Sequence, residues 1–321
     1  MSYNGADLVA ESLASLEVEH VFAIVSIHNM PLLDAINRLG KTKIIDVRHE
    51  QAGTHAADGY ARATGHMGVM IASTGPGTSN TVTGLYESQF GSSRVLVITG
   101  QADTGFYGKG LSYVHEAENQ VQMLSAVCRR VESPRHISQL AGAFQAVISD
   151  MFTGRPQPGA IEIPIDLQYA ETESVMVRVP ENLGFEADPE VISLVADKVK
   201  EATKRILVVG GGVISSEASE ELKDLAEALD APVLTTVDGR GVLPEDHRLC
   251  MGNYYNSAGI YNAIQDADLT IAIGTKFAVG VDGQFHSQTP PGELIQIDID
   301  GNMIGRTHRA TIGVLSDAKS A

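Results

Sequence analysis

Residues 68–85, GVMIASTGPGTSNTVTGL, decide the fold. An unbroken apolar run, GVMIAS, leads through Thr74, Gly75, Pro76 and Gly77 into a segment that Thr78 or Ser79 can cap as a helix. A short strand with no polar face is buried on both sides, which is the habit of a parallel sheet covered by helices. The same punctuation recurs outward. HVFAIV and KIIDV precede the stretch, RVLVITG and GAIEIPI follow it, and Ala-rich periodic segments lie between. Strand and helix in alternation make βαβ units. Residues 171–190, ETESVMVRVPENLGFEADPE, are acidic, carry two prolines and hold no period, which reads as a linker. A second series begins after it, with helix VISLVADKVKEAT, strand RILVVGGG, helix SSEASEELKDLAEALD and strands APVLTTV, LTIAIG and ELIQIDID. The expectation is an α/β chain of two doubly wound parallel-sheet (Rossmann-like) domains, residues 1–170 and 189–321, joined by a linker over 171–188.

The 321 residues carry 23 Lys+Arg against 40 Asp+Glu, a formal charge of −17 that repels phosphate backbones and anionic headgroups. Neither nucleic acid nor a membrane is an expected partner. The N-terminal MSYNGADLVAESLASLEVEH alternates like an amphipathic helix and lacks the basic start and apolar run of a signal peptide. With no apolar stretch near the ~20 residues that cross a bilayer, a cytoplasmic location is expected. Cys128 and Cys250 lie far apart without C-x-x-C spacing, so buried free thiols are expected, and no metal site.

Two glycine turns offer backbone N–H groups to a ligand. Gly210, Gly211 and Gly212 between RILVV and Ser215 or Ser216 could face a phosphate, but the spacing falls short of G-x-G-x-x-G. Asp298 or Asp300 could suit a ribose, yet each lies far beyond the ~20 residues of the dinucleotide fingerprint, so a structural turn is the stronger reading. At Thr74–Gly77, ligand contact and a structural turn both stay open. His28 and Asn29 stand where the first strand ends, and Glu50 follows KIIDV. In open α/β sheets the carboxyl ends of strands line the ligand crevice, so these three ends converge on one rim. Singly, such a histidine is a solvated or capping residue; together they point to a site.

Residues 48–101, from RHEQAGTHAADGYARATGHMG to RVLVITGQ, resemble the pyrimidine-binding domain of thiamine diphosphate enzymes in the acetolactate synthase, pyruvate oxidase and benzaldehyde lyase group. GRPQPGAIEIPIDLQ resembles that domain's end, and VVGGGV, LPEDH, DADLTIAIG and IQIDID resemble the central domain. The resemblance implies that Glu50 hydrogen-bonds a ring nitrogen of the cofactor's aminopyrimidine and favours its imino tautomer. A carboxylate held in an apolar cleft can share a proton with a ring nitrogen that faces it. It also implies cofactor contacts at Ser26, Thr74, Gly75, Pro76, Gly77 and Asn80, and a substrate-facing Gln101. The small residues Ala52, Gly53, Ala56 and Ala57 would let the helix after Glu50 pack closely, with Gly65 ending it. Such enzymes decarboxylate a 2-oxo acid and transfer the acyl anion to an acceptor carbonyl, the cofactor serving as electron sink.

The departures from the family are as informative. The Gly-Asp-Gly motif with a downstream asparagine, which holds Mg2+ and the diphosphate, is missing; VDGR at 237–240 and VDGQ at 281–284 lack its leading glycine. A split enzyme is therefore expected, in which a separate subunit supplies the diphosphate-binding domain and the metal, the two assembling as a heterotetramer or larger. VSIHN stands where acetolactate synthases have Pro-Gly-Gly, and His28 resembles the active-site histidines of lyase and decarboxylase relatives. With an ordinary pKa near 6.5, such a group can act as acid or base. Asn29, His115 and Glu116 then line a remodelled substrate pocket. MGNYYNSAG replaces the flavin segment of acetolactate synthases, so FAD is not expected. The alternatives are a simple 2-oxo acid decarboxylase or C–C lyase subunit, and a noncatalytic binding or regulatory relative.

Overall fold

The computed structural model describes residues 2–180, 185–253, 258–278 and 289–321. VDGQ at 281–284 lies outside them, as does YYNS at 254–257 in MGNYYNSAG. The chain divides into two compact units, Met1–Asn182 and Leu183–Ala321.

In unit 1 the elements alternate as α1 (Gly5–Ser15), β1 (His20–Ala23), α2 (Met30–Leu39), β2 (Lys43–Asp46), α3 (Glu50–Thr64), β3 (Gly68–Ala72), α4 (Pro76–Gly91), β4 (Val95–Gln101), α5 (Gln120–Ser125), β5 (Arg130–Glu132), α6 (Ile137–Phe152), β6 (Gly159–Pro164) and α7 (Ile165–Tyr169). Local chemistry sets the helix ends. Asn4 and Asp7 form a reciprocal capping box on α1, while Gly40 and Gly65 end α2 and α3 in the left-handed conformation. The strands pair in parallel in the order β2-β1-β3-β4-β6-β5. Their alternate residues feed two cores. Val69, Ile71, Leu96 and Ile98 pack with Leu8, Leu32, Ile36 and Phe144 on one face, and Met70, Ala72, Val95 and Val97 with Ala57, Leu85 and Leu124 on the other. Each such side chain contributes about 1.5–3 kcal/mol on full burial.

Unit 2 is built of α8 (Pro189–Glu201), β7 (Arg205–Val209), α9 (Gly211–Ser215), α10 (Ser219–Leu229), β8 (Val233–Thr235), β9 (Cys250–Asn253), α11 (Ala258–Ala263), β10 (Leu269–Ile273), β11 (Glu293–Asp298) and β12 (Ile312–Leu315). Its sheet, also parallel, runs β12-β11-β10-β7-β8-β9. The expected class, two doubly wound parallel-sheet folds, is what the chain adopts. Among the described residues no helix is long and apolar enough to cross a membrane. Cys128 is buried, whereas Cys250 is only half-buried, because it sits on the outermost strand β9.

The segment that reads as linker is partly tied down. Thr172 N–H donates to the Tyr3 carbonyl, Val177 is buried in the unit 1 core, and the Gln145 amide brackets Arg178 through two backbone hydrogen bonds. Later in the same segment, the Phe185 carbonyl accepts from Ser316 Oγ and Asp317 N–H within unit 2.

Each sheet is wound outward in both directions from its first strand, and the switch point between the two directions opens a crevice at the carboxyl ends of the strands. In unit 1 it lies between β1 and β3.

Candidate active site

Three loops meet at the carboxyl edge of the unit 1 sheet. The first follows β1. Asn29 Oδ1 accepts from Ser26 N–H at 2.8 Å, and its Nδ2 donates to the Ile24 carbonyl at 3.0 Å. Ser26 Oγ accepts from His28 N–H. The closed turn buries His28 and Asn29 and turns Val25, Ile27 and Met30 to the outside. Asn29, expected in a substrate pocket, thus spends its amide on the turn itself. β4 presses on the same turn, since a Cβ at Gly100 would lie 2.5 Å from the His28 carbonyl oxygen. Gln168 Nε2 donates to that oxygen at 2.7 Å.

The His28 ring is buried with no protein hydrogen-bond partner on either nitrogen. It stands 6.0 Å from the Tyr113 ring and 6.1 Å from the His115 ring. Burial, reinforced by the His115 imidazole, lowers its pKa below 6.5; the Val114 backbone offsets this in part, short of a formed hydrogen bond. His28 is therefore neutral at neutral pH.

Glu50 is the first residue of α3, where the helix end favours a negative charge. It is buried, and its Oε2 accepts from Asn80 Nδ2 at 3.0 Å. Of the small residues after it, Gly53 and Ala57 pack inward, Ala56 is half-buried and Ala52 faces solvent. Helix α4 approaches closely, and a Cβ at Gly84 would meet Thr54 Cβ at 2.6 Å. The third loop, Ser73–Gly77, completes the pocket. Gly75 adopts φ +59 and ψ −113, a combination that side chains disfavour, and this aims Pro76 into the first turn of α4. A Cβ at Gly77 would lie 3.1 Å from Glu50 Oε1 and 2.9 Å from Ser73 Cβ. The missing Cβ keeps open the space that Glu50 Oε1 faces.

The expected site residues thus fall into two groups joined by the 73–77 turn. Glu50, Asn80 and Gly77 make one, beside Ser73, which was not among them. Thr74, Gly75, Gln101 and His115 make the other: Thr74 Oγ1 donates to Gln101 Oε1, the His115 carbonyl and Gln120 Oε1, a shared proton at 3.1–3.3 Å. Gln101 is fully buried, its Nε2 donating to Ala117 O and Glu162 Oε2 and its Oε1 accepting from Ala102 N–H. Glu116 Oε1 accepts from Gly108 N–H, bracing the 103–119 loop. Ser73, whose buried hydroxyl lacks a protein partner, and the buried pair Gln120 and Glu162 escaped the sequence reading. Ser73 stood one place before the quoted turn; Glu162 was hidden in the strand run GAIEIPI.

In unit 2 the corresponding turn is closed. A Cβ at Gly210 would lie 2.2 Å from the Gly274 carbonyl oxygen, and Gly212 N–H already donates to it at 3.0 Å. Asp298 Oδ1 accepts from Asp300 N–H, closing a local turn. The glycines here serve backbone packing rather than a phosphate. VDGR forms a single 3-10 turn at Val237–Gly239. Among the described residues no group of three or more His, Cys, Asp or Glu could hold a metal ion.

Comparison with known proteins matches residues 3–125 to the family described as "Thiamine pyrophosphate enzyme, N-terminal TPP binding domain" and residues 192–321 to "Thiamine pyrophosphate enzyme, central domain". The chain belongs to the thiamine pyrophosphate enzymes. Its relatives include the probable acetolactate synthase large subunit of Methanocaldococcus jannaschii, 34% identical over 98% of this chain and 54% of the relative. The acetolactate synthase large subunit of Corynebacterium glutamicum is 35% identical over 98% of the chain and 51% of the relative, and the acetolactate synthase of Mycobacterium bovis 33% over 98% and 52%. The chain spans about half the length of the curated relatives it matches. The side chains around Glu50 have the chemistry that the aminopyrimidine end of such a cofactor would need. A buried carboxylate with one oxygen fixed by Asn80, the other toward a space cleared by Gly77, and an unpartnered Ser73 hydroxyl beside it suit a flat heterocycle with ring nitrogens.

Proposed function

We propose that this chain supplies the aminopyrimidine-binding half of a thiamine diphosphate-dependent active site in an acetolactate synthase-like enzyme. That enzyme decarboxylates a 2-oxo acid and transfers the acyl anion to an acceptor carbonyl. The supporting observation is the single fixed orientation of Glu50, with Asn80 on Oε2 and Gly77 beneath Oε1. When bound, the cofactor supplies a nucleophilic carbon and an electron sink. Glu50 holds a proton at a ring nitrogen, the Gly75–Pro76–Gly77 turn sets the plane in which the ring lies, and Ser26, Thr74 and Asn80 brace the walls. Burial of His28 and Gln101 keeps water from the strand ends.

The diphosphate and Mg2+ need oxygen ligands at fixed positions. In this proposal they come from a diphosphate-binding domain outside this sequence, on a separate subunit or on a continuation of the chain. A second reading, decarboxylation without carboligation, draws support from His28 and His115. Two imidazoles 6.1 Å apart beside Gln101 can deliver the proton that ends the reaction as an aldehyde.

The test is reconstitution. The chain, combined with a diphosphate-binding domain, thiamine diphosphate and Mg2+, is supplied with pyruvate and other 2-oxo acids, and carbon dioxide, aldehyde and acyloin are measured. Carbon dioxide with a 2-hydroxy-3-oxo acid or acyloin supports the first reading, and aldehyde alone the second. No turnover, together with no cofactor binding, refutes both.

A further inference from the structure

Gln120 opens α5, is almost wholly buried, and belongs to none of the motifs in the sequence. Its Oε1 accepts from Gly75 N–H at 2.8 Å. Its Nε2 donates to the Gly100 carbonyl at 3.0 Å and to Glu162 Oε2 at 2.8 Å. A side-chain amide donates only through nitrogen and accepts only through oxygen. Turned over, it would set its NH2 against Gly75 N–H and its oxygen against a carboxylate and a carbonyl. Glu162 therefore dictates which end of Gln120 meets Gly75.

Glu162 is itself fully occupied and fully buried. Oε2 accepts hydrogen bonds from Gln101 and Gln120, and Oε1 accepts them from Ser133 Oγ at 2.7 Å and Arg135 Nη2 at 3.1 Å. The Arg135 guanidinium lies 3.8 Å above the centre of the Tyr107 ring, and Tyr107 Oη donates to the Glu118 carbonyl. One buried charge thus organises the 103–119 loop, the end of β4 and the Gly75 turn. The turn has reason to need it, because Gly75 sits in a disfavoured conformation and its N–H has this acceptor.

We propose that Gln120, oriented by Glu162, is a positioning residue that holds the Gly75–Gly77 turn in place against Glu50. The proposal rests on the reading of Glu50 and this turn as the aminopyrimidine contact. Neither Gln120 nor Glu162 touches the reacting atoms; they act through the backbone of the turn.

The test compares Gln120→Met, Gln120→Glu and Glu162→Gln in the 321-residue chain. Amide hydrogen exchange at Gly75 is followed beside the melting temperature. Gln120→Met should speed Gly75 exchange about tenfold, the equivalent of one hydrogen bond, while the amides of β3 and β4 stay protected. Gln120→Glu should speed it further, because two carboxylates then face each other. Glu162→Gln should also speed it, because Gln120 then loses the carboxylate that fixes which of its ends meets Gly75. Unchanged Gly75 exchange in Gln120→Met, or in Glu162→Gln, overturns the proposal. Thiamine diphosphate titration of the same proteins separates it from the functional reading. Faster Gly75 exchange with unaltered cofactor affinity leaves the positioning role standing and refutes the turn as a cofactor contact instead.

Discussion

Asn80 Nδ2 donates to Glu50 Oε2 across 3.0 Å, tying the second turn of α4 to the first residue of α3. Two helices that follow β2 and β3, strands separated in the sheet by β1, are thereby joined through one carboxylate oxygen, and in the proposed function the other meets the cofactor ring. Glu50→Gln keeps the shape but removes the titratable group. In the reconstituted enzyme it should lower turnover by about two to four orders of magnitude, with the far-ultraviolet circular dichroism of the chain unchanged. Wild-type turnover would sink the assignment of Glu50.

Gly77→Ala tests the cleared space. The added methyl would sit 3.1 Å from Glu50 Oε1 and 2.9 Å from Ser73 Cβ, where a ring is expected to lie. Calorimetry should show thiamine diphosphate affinity falling at least tenfold, and melting should fall modestly, because the Ser73 contact must open while the helix itself favours alanine. Equal affinity in the two proteins would place the ring elsewhere.

His28 gives a pH dependence. Its folded-state pKa lies below 6.5, the value it regains when unfolded. The unfolded chain then binds more protons between the two values, so stability rises with pH through that window and falls on acidification below 6.5. Melting followed from neutral pH downward should show a steeper loss in the native protein than in His28→Phe, which cannot titrate. Parallel curves would mean that His28 gains a partner in solution.

Gly84→Ala probes the helix pair that carries the carboxylate. Its methyl would meet Thr54 Cβ at 2.6 Å, and neither backbone can yield without moving α3 or α4. Overpacking of this kind costs about 1–3 kcal/mol, which a urea melt would register as a lower midpoint. An unshifted midpoint would show that the two helices slide.

Apolar strand runs closed by turn residues carried most of the fold. GVMIAS, RVLVITG and LTIAIG are strands: each is a short apolar run closed by turn residues and too short for a helix of ordinary length, which fits a sheet interior. The strands at Arg130–Glu132, Cys250–Asn253 and Ile312–Leu315 were not legible: all three are edge strands of three or four residues, the first mostly charged and the other two interrupted by glycine, and tertiary pairing makes them strands. Within the candidate site, Glu50 and the Gly75–Gly77 turn could be picked out because a strand end and a helix start bracket them. Asn29, Gln101 and Glu116 could be located but not oriented, since whether an amide or carboxylate faces a ligand or its own backbone depends on partners remote in sequence. Gln120 and Glu162 are 42 residues apart, and no spacing rule connects a buried acid to the amide it turns. Unit 2 shows the converse, for its three consecutive glycines advertise a phosphate and instead let two backbones touch.

The turn that buries His28 leaves Val25, Ile27 and Met30 each at least half exposed. Three large apolar side chains within six residues form a tacky ridge on an otherwise strongly anionic particle. In the laboratory the isolated chain should bind hydrophobic resins in moderate salt and lose colloidal stability as its charge is screened, so that low ionic strength, not added salt, is the condition in which to concentrate it.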